Sequence, residues 1–217
     1  MVRYKNRKGD IMPAQIYTFE IVYANCENKL WRTAEVSSNY TLAKLGYMIL
    51  ATFDTMAYHL FSMKFKDIEY VLTQEDIDEE FNSFKMFKAL KTKRALLNKT
   101  KLSDLKFNTG DIIEMTYDFG CDQLFTIKFT AAMDMPKGHG TKYPKIIDGA
   151  GHGILDDVPA SELLEMINQT EAGNPPDIIY PYETDNHWNF NHYDMVIDNM
   201  RLKYSIEDIQ EGFECYE

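Results

Sequence analysis

Two short segments hold the carboxylates, histidines and glycines from which a reactive or binding site could be built. In Asp148-Gly-Ala-Gly-His-Gly-Ile-Leu-Asp-Asp157, three glycines separate Asp148, His152, Asp156 and Asp157. Oxygen donors with one imidazole can hold a divalent cation if a permissive backbone lets them converge. The spacing is not that of an EF-hand, whose ligands alternate along the loop and close on a Glu. The alternative, and the commoner case, is a tight turn whose aspartates cap the helix opening at Pro159. A nucleotide cradle is excluded, because no Lys-Ser/Thr follows the glycines and acids repel phosphate. The second segment is Tyr117-Asp-Phe-Gly-Cys-Asp122, where Asp118 and Asp122 flank a turn containing Gly120. Two carboxylates so close can act as acid and base. Aspartates that bond their own backbone in a turn account for them as well. Cys121 lies between them, and neighbouring negative charge raises a thiol's pKa, which disfavours a nucleophilic role.

The remaining histidines and bases are weaker signals. His187-Trp-Asn-Phe-Asn-His192 sets two histidines five apart. Metal-binding pairs use i,i+4 on a helix or i,i+2 on a strand, so this reads as a surface loop anchored by its Trp. His59, in an apolar strand context, reads as a satisfied structural histidine. No Gly-x-Ser-x-Gly elbow, Walker loop or His-Glu-x-x-His occurs in the chain, so no catalytic signature anchors an enzyme reading. From Lys85 to Lys106 eight bases face the single acid Asp104, a net of +7 that leaves −18 for the rest of the chain. Lys91, Lys93 and Arg94 are the candidate polyanion contacts of that stripe. The alternative is a solvated helix end that complements the helix dipole. With only five arginines in the chain, bidentate phosphate recognition is thinly equipped.

Composition sets the frame for these candidates. The 217 residues are 45% hydrophobic and 13% aromatic, which permits a core without disulfides or structural metal. Disorder and a small disulfide scaffold are excluded as the main description. A formal charge of −11 opposes wholesale wrapping of nucleic acid or of an anionic membrane. Cys26, Cys121 and Cys215 are odd in number and form no CxxC pair. The basic start, Met1 to Lys8, is followed by no apolar signal core, and Gly46 to Phe53 is too short to span a bilayer. A soluble cytoplasmic protein with reduced thiols, no cofactor and no membrane partner is expected.

The elements that must position the candidates follow from periodicity. Residues 1–13 read as a flexible basic arm and residues 14–217 as one domain. Gln15–Tyr23 and Leu30–Val36 read as paired antiparallel strands. Leu42, Leu45, Ile49 and Phe53 mark an amphipathic helix over Thr41–Phe53. Short strands are expected at His59–Phe65 and Ile68–Leu72. Thr73-Gln-Glu-Asp76 has the form of a capping box and opens a helix expected to reach about Lys99. A turn of helix follows at Leu102–Leu105. Asp111–Phe119 and Gln123–Ala132 form a hairpin. Met133–Gly153 reads as a Gly-rich loop, Pro159–Thr170 as a helix with Leu163, Leu164 and Ile167 inward, and the tail as two short helices near 194–202 and 205–211.

In order and spacing these residues resemble the plasmid pRiA4b ORF-3-like family, some of whose members travel as insertion-element passengers. Tyr17-Thr-Phe-Glu-Ile21, then Leu30-Trp-Arg32 and Val36, look like its opening hairpin with a Trp-Arg pair. Thr41-Leu-Ala-Lys-Leu45 and His59-Leu60 look like its first helix and following strand. Leu102-Ser-Asp-Leu105 and Tyr117-Asp-Phe-Gly120 are similar to its most characteristic hairpin. Tyr143-Pro144, Asp148-Gly-Ala-Gly151 and Asp156-Asp157 resemble its Gly-rich acidic segment, and Tyr193-Asp194 with Asn199 its C-terminal signature. The likeness covers roughly residues 15 to 205. Three places depart from it. Cys121, Leu124 and Phe125 stand where an Asp, a Trp and a His usually follow; Pro159-Ala160 replaces a Gly-Gly; and Phe61 stands where a second His follows the first His-Leu. The resemblance implies a single α+β domain of the α/β-roll type, a curved, mainly antiparallel sheet packed against helices. It implies no reaction.

The expectation is therefore a non-catalytic binding or accessory module with an unknown protein or small-molecule partner. Its candidate surface is Tyr117, Asp118, Gly120, Asp122, Asp148, His152, Asp156 and Asp157. Two alternatives stand beside it: a nucleic-acid accessory role through the Lys85–Lys106 stripe, and a metal-dependent enzyme using the Asp148–Asp157 loop.

Overall fold

The computed structural model describes residues 14–24, 26, 29–75, 77, 93–136, 142–176 and 189–214. The expected arm 1–13, most of the expected helix from Thr73, Lys91, and His187 with Trp188 lie outside the described residues. The strands are β1 (Gln15–Tyr23), β2 (Trp31–Ser37), β3 (Phe61–Phe65), β4 (Ile68–Val71), β5 (Lys93–Leu96), β6 (Ile112–Tyr117), β7 (Gln123–Asp134) and β8 (Lys145–Ala150). The helices are α1 (Leu42–Thr52), α2 (Ala160–Glu171) and α3 (Met195–Glu214). The strands make one sheet in the order β5-β4-β3-β6-β7-β1-β2-β8, antiparallel throughout except for the parallel pair β4 and β5. The class is the expected one, α+β with a mostly antiparallel sheet.

The core follows from period-two alternation. Phe19, Ile21 and Tyr23 of β1, Phe125, Ile127 and Phe129 of β7, Ile113, Met115 and Tyr117 of β6, and Phe61, Met63 and Phe65 of β3 are all buried. Register places them on one face, with Phe19 opposite Phe129, Ile113 opposite Ile127 and Met63 opposite Met115. The chain crosses from β2 to β3, on the far side of β1, β7 and β6, through α1. Thr41 starts α1 by accepting the Lys44 N–H at 3.2 Å. Nearly every residue of α1 is buried, because α3 packs on it as well. Gly46 permits the close approach to the sheet: a Cβ there would lie 2.3 Å from the Phe61 ring.

Four expectations are corrected. The helix expected to run to Lys99 is absent at its end, where Lys93–Leu96 is β5. Ala95 pairs with Tyr70 and Leu96 with Val71, and the Leu97 N–H continues the ladder to the Val71 carbonyl at 2.9 Å. The open edge of β4, far away in sequence, outweighs a local helical spacing of bases. Inside the expected Gly-rich loop, Ile146 and its neighbours form β8, an edge strand on β2 in which Ala34 pairs with Ile146. The tail is one helix, α3, since its buried residues Asp198, Leu202 and Ile206 repeat at i+4 through the position read as a break. Asp156 and Asp157 do not cap the following helix: Pro159 is its N-cap residue and no side chain bonds there. Leu163 and Ile167 face inward as expected, with Leu164 partly buried beside them.

Candidate functional site

The β6–β7 turn and the acidic end of the Gly-rich segment meet. Tyr117, the last residue of β6, is buried by strand alternation, and its hydroxyl donates to Asp156 Oδ1 at 2.5 Å. The other oxygen of Asp156 accepts the Met56 N–H at 2.8 Å. Gln123, at the start of β7, holds the same loop from beneath: its amide donates to the Leu155 and Val158 carbonyls while its oxygen accepts from Tyr23. The loop that carries Asp156 and Asp157 is thereby fastened to two strands of the sheet.

His59 stands between the loops. Its Nε2 lies 2.9 Å from Asp157 Oδ1 and 3.5 Å from Asp118 Oδ2. Tyr58 donates to Asp157 Oδ2, and the His59 ring rests edge-on against Tyr117 at 5.8 Å. Asp118 is held by its backbone N–H on the Leu60 carbonyl at 3.1 Å, and its Oδ1 accepts the Gly120 N–H at 3.2 Å. Asp118 Oδ2 is buried, and beyond the 3.5 Å contact with His59 Nε2 it makes no hydrogen bond among the described residues. The backbone is forced here as well. Asp54, Ala57, Asp118, Asp122 and Asp157 all have left-handed φ between 49° and 62°. Such strain in side-chain-bearing residues persists where surrounding structure over-determines it, commonly at functional sites.

The ionisation directions follow from these contacts. Burial raises the Asp156 carboxyl, against the Tyr117 bond that lowers it. The bond from Tyr58 lowers Asp157. Burial and the Asp156 bond push the Tyr117 hydroxyl far up, so Tyr117 is a fixed donor. The Cys121 thiol is raised by burial first and then by Asp118, in the direction expected from its neighbours.

The other candidates go elsewhere. Asp148 Oδ1 accepts its neighbour's N–H, from Gly149, at 2.9 Å. His152 sits 3.1 Å from Asp54 Oδ2 and bonds the His192 carbonyl at 2.8 Å, in a cleft lined by Tyr193, Asp194 and Arg201. The expected grouping of Asp148, His152, Asp156 and Asp157 is therefore divided among separate sets of partners. The glycines between them serve packing: a Cβ on Gly149 would strike Tyr193 and Arg32, and one on Gly153 would lie 2.4 Å from the Phe53 carbonyl oxygen. Lys93 and Arg94 lie on β5 and pair with Asp67 at 3.5 Å and Glu69 at 2.7 Å. The sequence reads His59 as a satisfied structural histidine, and Met56 and Tyr58 are not among its candidates. The available signal was the His59-Leu60 pair shared with the resembling family.

One further arrangement shapes this end of the sheet. Arg32, fully buried on the core face of β2, ion-pairs through Nε with Asp198 Oδ2 at 2.5 Å. Its terminal nitrogens donate to the carbonyls of Trp31, Ala150, Thr52 and His152 at 2.7–3.2 Å. Asn199 clasps the β8 edge by bonding both the N–H and the carbonyl of Ile146. Arg32 with Asp198, and Asn199 with Ile146, thus lock β2, β8 and α3 together.

The model of a family described as plasmid pRiA4b ORF-3-like protein matches residues 15–197. Among solved structures, the chain is similar to a crystal structure of a protein of unknown function from Methanosarcina mazei Go1, with a TM-score of 0.63 at 17% identity. That similarity covers 85% of this chain and 96% of the other, and at this identity it speaks for the fold. No curated protein matches the chain. No helix among the described residues is long and apolar enough to cross a membrane.

Proposed function

The chain belongs to the plasmid pRiA4b ORF-3-like family, and we propose that it works as a non-catalytic cytoplasmic binding module whose working face joins residues 54–60, 117–122 and 156–158. One observation carries the reading: Asp118 and Asp157 meet at His59 inside a rim of apolar side chains left open to solvent. Met56, Tyr58, Leu60 and Phe119 are each 38–52% exposed. Single exposed apolar residues are ordinary, whereas several grouped around polar atoms mark a binding surface. The acids exceed the one histidine, so the face favours a ligand that carries a positive charge on an apolar body, on a protein or a small molecule. The half-exposed aromatic side chains of Tyr58 and Phe119 suit the same chemistry. Burial and then Asp118 raise the Cys121 thiol, which disfavours Cys121 as a nucleophile.

The test is amide shift mapping with phenethylammonium and butylguanidinium, using butyrate as the anionic control. Both cations should shift amides within 54–60, 117–122 and 156–158, and butyrate should not. Silence from both cations, or equal shifts from butyrate, would remove the reading.

A further inference from the structure

The geometry points to a divalent-cation site formed by His59 Nε2, Asp118 Oδ2 and Asp157 Oδ1 at the centre of this face. The inference rests on the same face serving as the binding surface for positive charge and names a divalent cation as the charge its centre takes, in competition with an organic cation for the same carboxylates. A cation about 2.1 Å from each of three donors needs those donors within about 4.2 Å of one another. His59 Nε2 is 2.9 Å from Asp157 Oδ1 and 3.5 Å from Asp118 Oδ2. All three donor atoms lie within 4.8 Å of one another, so a small carboxylate rotation completes the set.

Acidic clusters alone are common; what distinguishes this one is Asp118. It is 5% exposed, and its Oδ2 makes no hydrogen bond within normal distance, its ion-pair contact with His59 Nε2 being long at 3.5 Å, while the Cys121 thiol bonds the same carboxylate. A buried carboxylate oxygen so thinly paired is costly, and a bound cation relieves that cost directly. Its other oxygen is fixed by the Gly120 N–H, which aims Oδ2 toward His59. Tyr58 holds the outer oxygen of Asp157 and leaves Oδ1 for the cation, so Tyr58 is a positioning residue. The imidazole would ligate as the neutral ring with its proton on Nδ1.

One nitrogen and two carboxylate oxygens suit a first-row divalent ion better than Mg²⁺ or Ca²⁺, which prefer all-oxygen shells. The affinity order expected is Zn²⁺ above Mn²⁺, with Mg²⁺ and Ca²⁺ far weaker. Three protein ligands leave coordination positions free for water or a ligand.

Calorimetry on the full chain, freed of adventitious metal, should show one Zn²⁺ per chain with micromolar or tighter affinity. Asp118→Asn, Asp157→Asn and His59→Gln should each weaken it at least about tenfold, and Tyr58→Phe by roughly tenfold. His152→Gln should leave it unchanged, which separates this site from loose binding at His152 and His192. Mn²⁺ should broaden amides of residues 58–60, 118–122 and 156–158 first. Asp157 is exposed, so its variant tests the site even if Asp118→Asn does not fold. Zn²⁺ binding weaker than millimolar, or binding indifferent to Asp157→Asn and His59→Gln, overturns the site. If Zn²⁺ fails while phenethylammonium still shifts the face, the metal inference alone falls; if both fail, the face falls with it.

Discussion

Asp198→Asn removes a charge that Arg32 meets at 2.5 Å, with the two side chains only 0% and 2% exposed. The guanidinium has five N–H donors. Nε faces Asp198, and the four terminal hydrogens serve the carbonyls of Trp31, Ala150, Thr52 and His152. Its central carbon lies 4.9 Å from the Phe53 ring centre and 4.4 Å from that of Tyr193. Burial pushes the guanidinium below its ordinary pKa and Asp198 pulls it back. Removing one member of a buried pair costs about 3–5 kcal/mol, because the other charge is left without a counterion. Arg201, 3.6 Å from the other Asp198 oxygen, is itself a cation paired with Asp54 at 2.7 Å, so it adds to the positive charge that the lost carboxylate had balanced. The isosteric amide keeps shape and an acceptor, which places the expectation at the lower end, about 3 kcal/mol. For a chain of this length that corresponds to a fall in Tm of about 6–12 °C. Arg32→Met should cost more, since it also strips four carbonyls of their donor at about 1 kcal/mol or more each. Urea unfolding of both single variants and the double variant at neutral pH measures the coupling, expected at about 1.5–3 kcal/mol. A Tm within 2 °C of the parent for Asp198→Asn, or additive single effects, would refute the buried-pair reasoning.

Three further outcomes are expected. Gly46→Ala should destabilise by about 1–2 kcal/mol in denaturant unfolding, because overpacking against Phe61 outweighs the roughly 1 kcal/mol gain in helix propensity; shrinking Phe61 to Leu in that background should recover part of the loss. Gln123→Leu should cost about 1–3 kcal/mol and speed hydrogen exchange selectively at residues 154–158, whose loop loses its tether to β7. Burial pushes the Cys26 thiol up to about 11. At pH 8 it then holds roughly two hundredfold less thiolate than a free cysteine, so iodoacetamide should modify it only on unfolding, as read by mass spectrometry.

Legibility in the sequence tracked the range of the forces involved. The alternation in β1, β6 and β7, the apolar spacing of α1 and the Pro159 start of α2 arise from contacts between near neighbours, so periodicity exposed them. The β5 strand did not show, because its bond partners on β4 lie beyond any local window and its bases mimic a helical face. Arg32 is the sharpest case. Alternation put it on the inner face with Ala34 and Val36, where a charge is normally refused. Asp198 and four carbonyls, contributed from β2, α1, residues 150–152 and α3, make that position tolerable. His59 reads locally as a structural histidine for the same reason, since its partners Asp118 and Asp157 come from two distant loops.

Residue order was enough for the α+β class, the family, the hairpin that carries Asp118 and the two acidic loops. It also put Cys121 beside acids that disfavour reactivity. Tertiary structure alone decided which of those acids meet. Asp157 joins His59 from 98 residues away and Asp156 joins Tyr117 from 39, while Asp148 and His152, in the same short segment, take other partners. Spacing along a chain constrains side chains that share a turn of helix or a face of a strand. Side chains delivered by separate loops meet only where the sheet register and the packing of those loops bring them together.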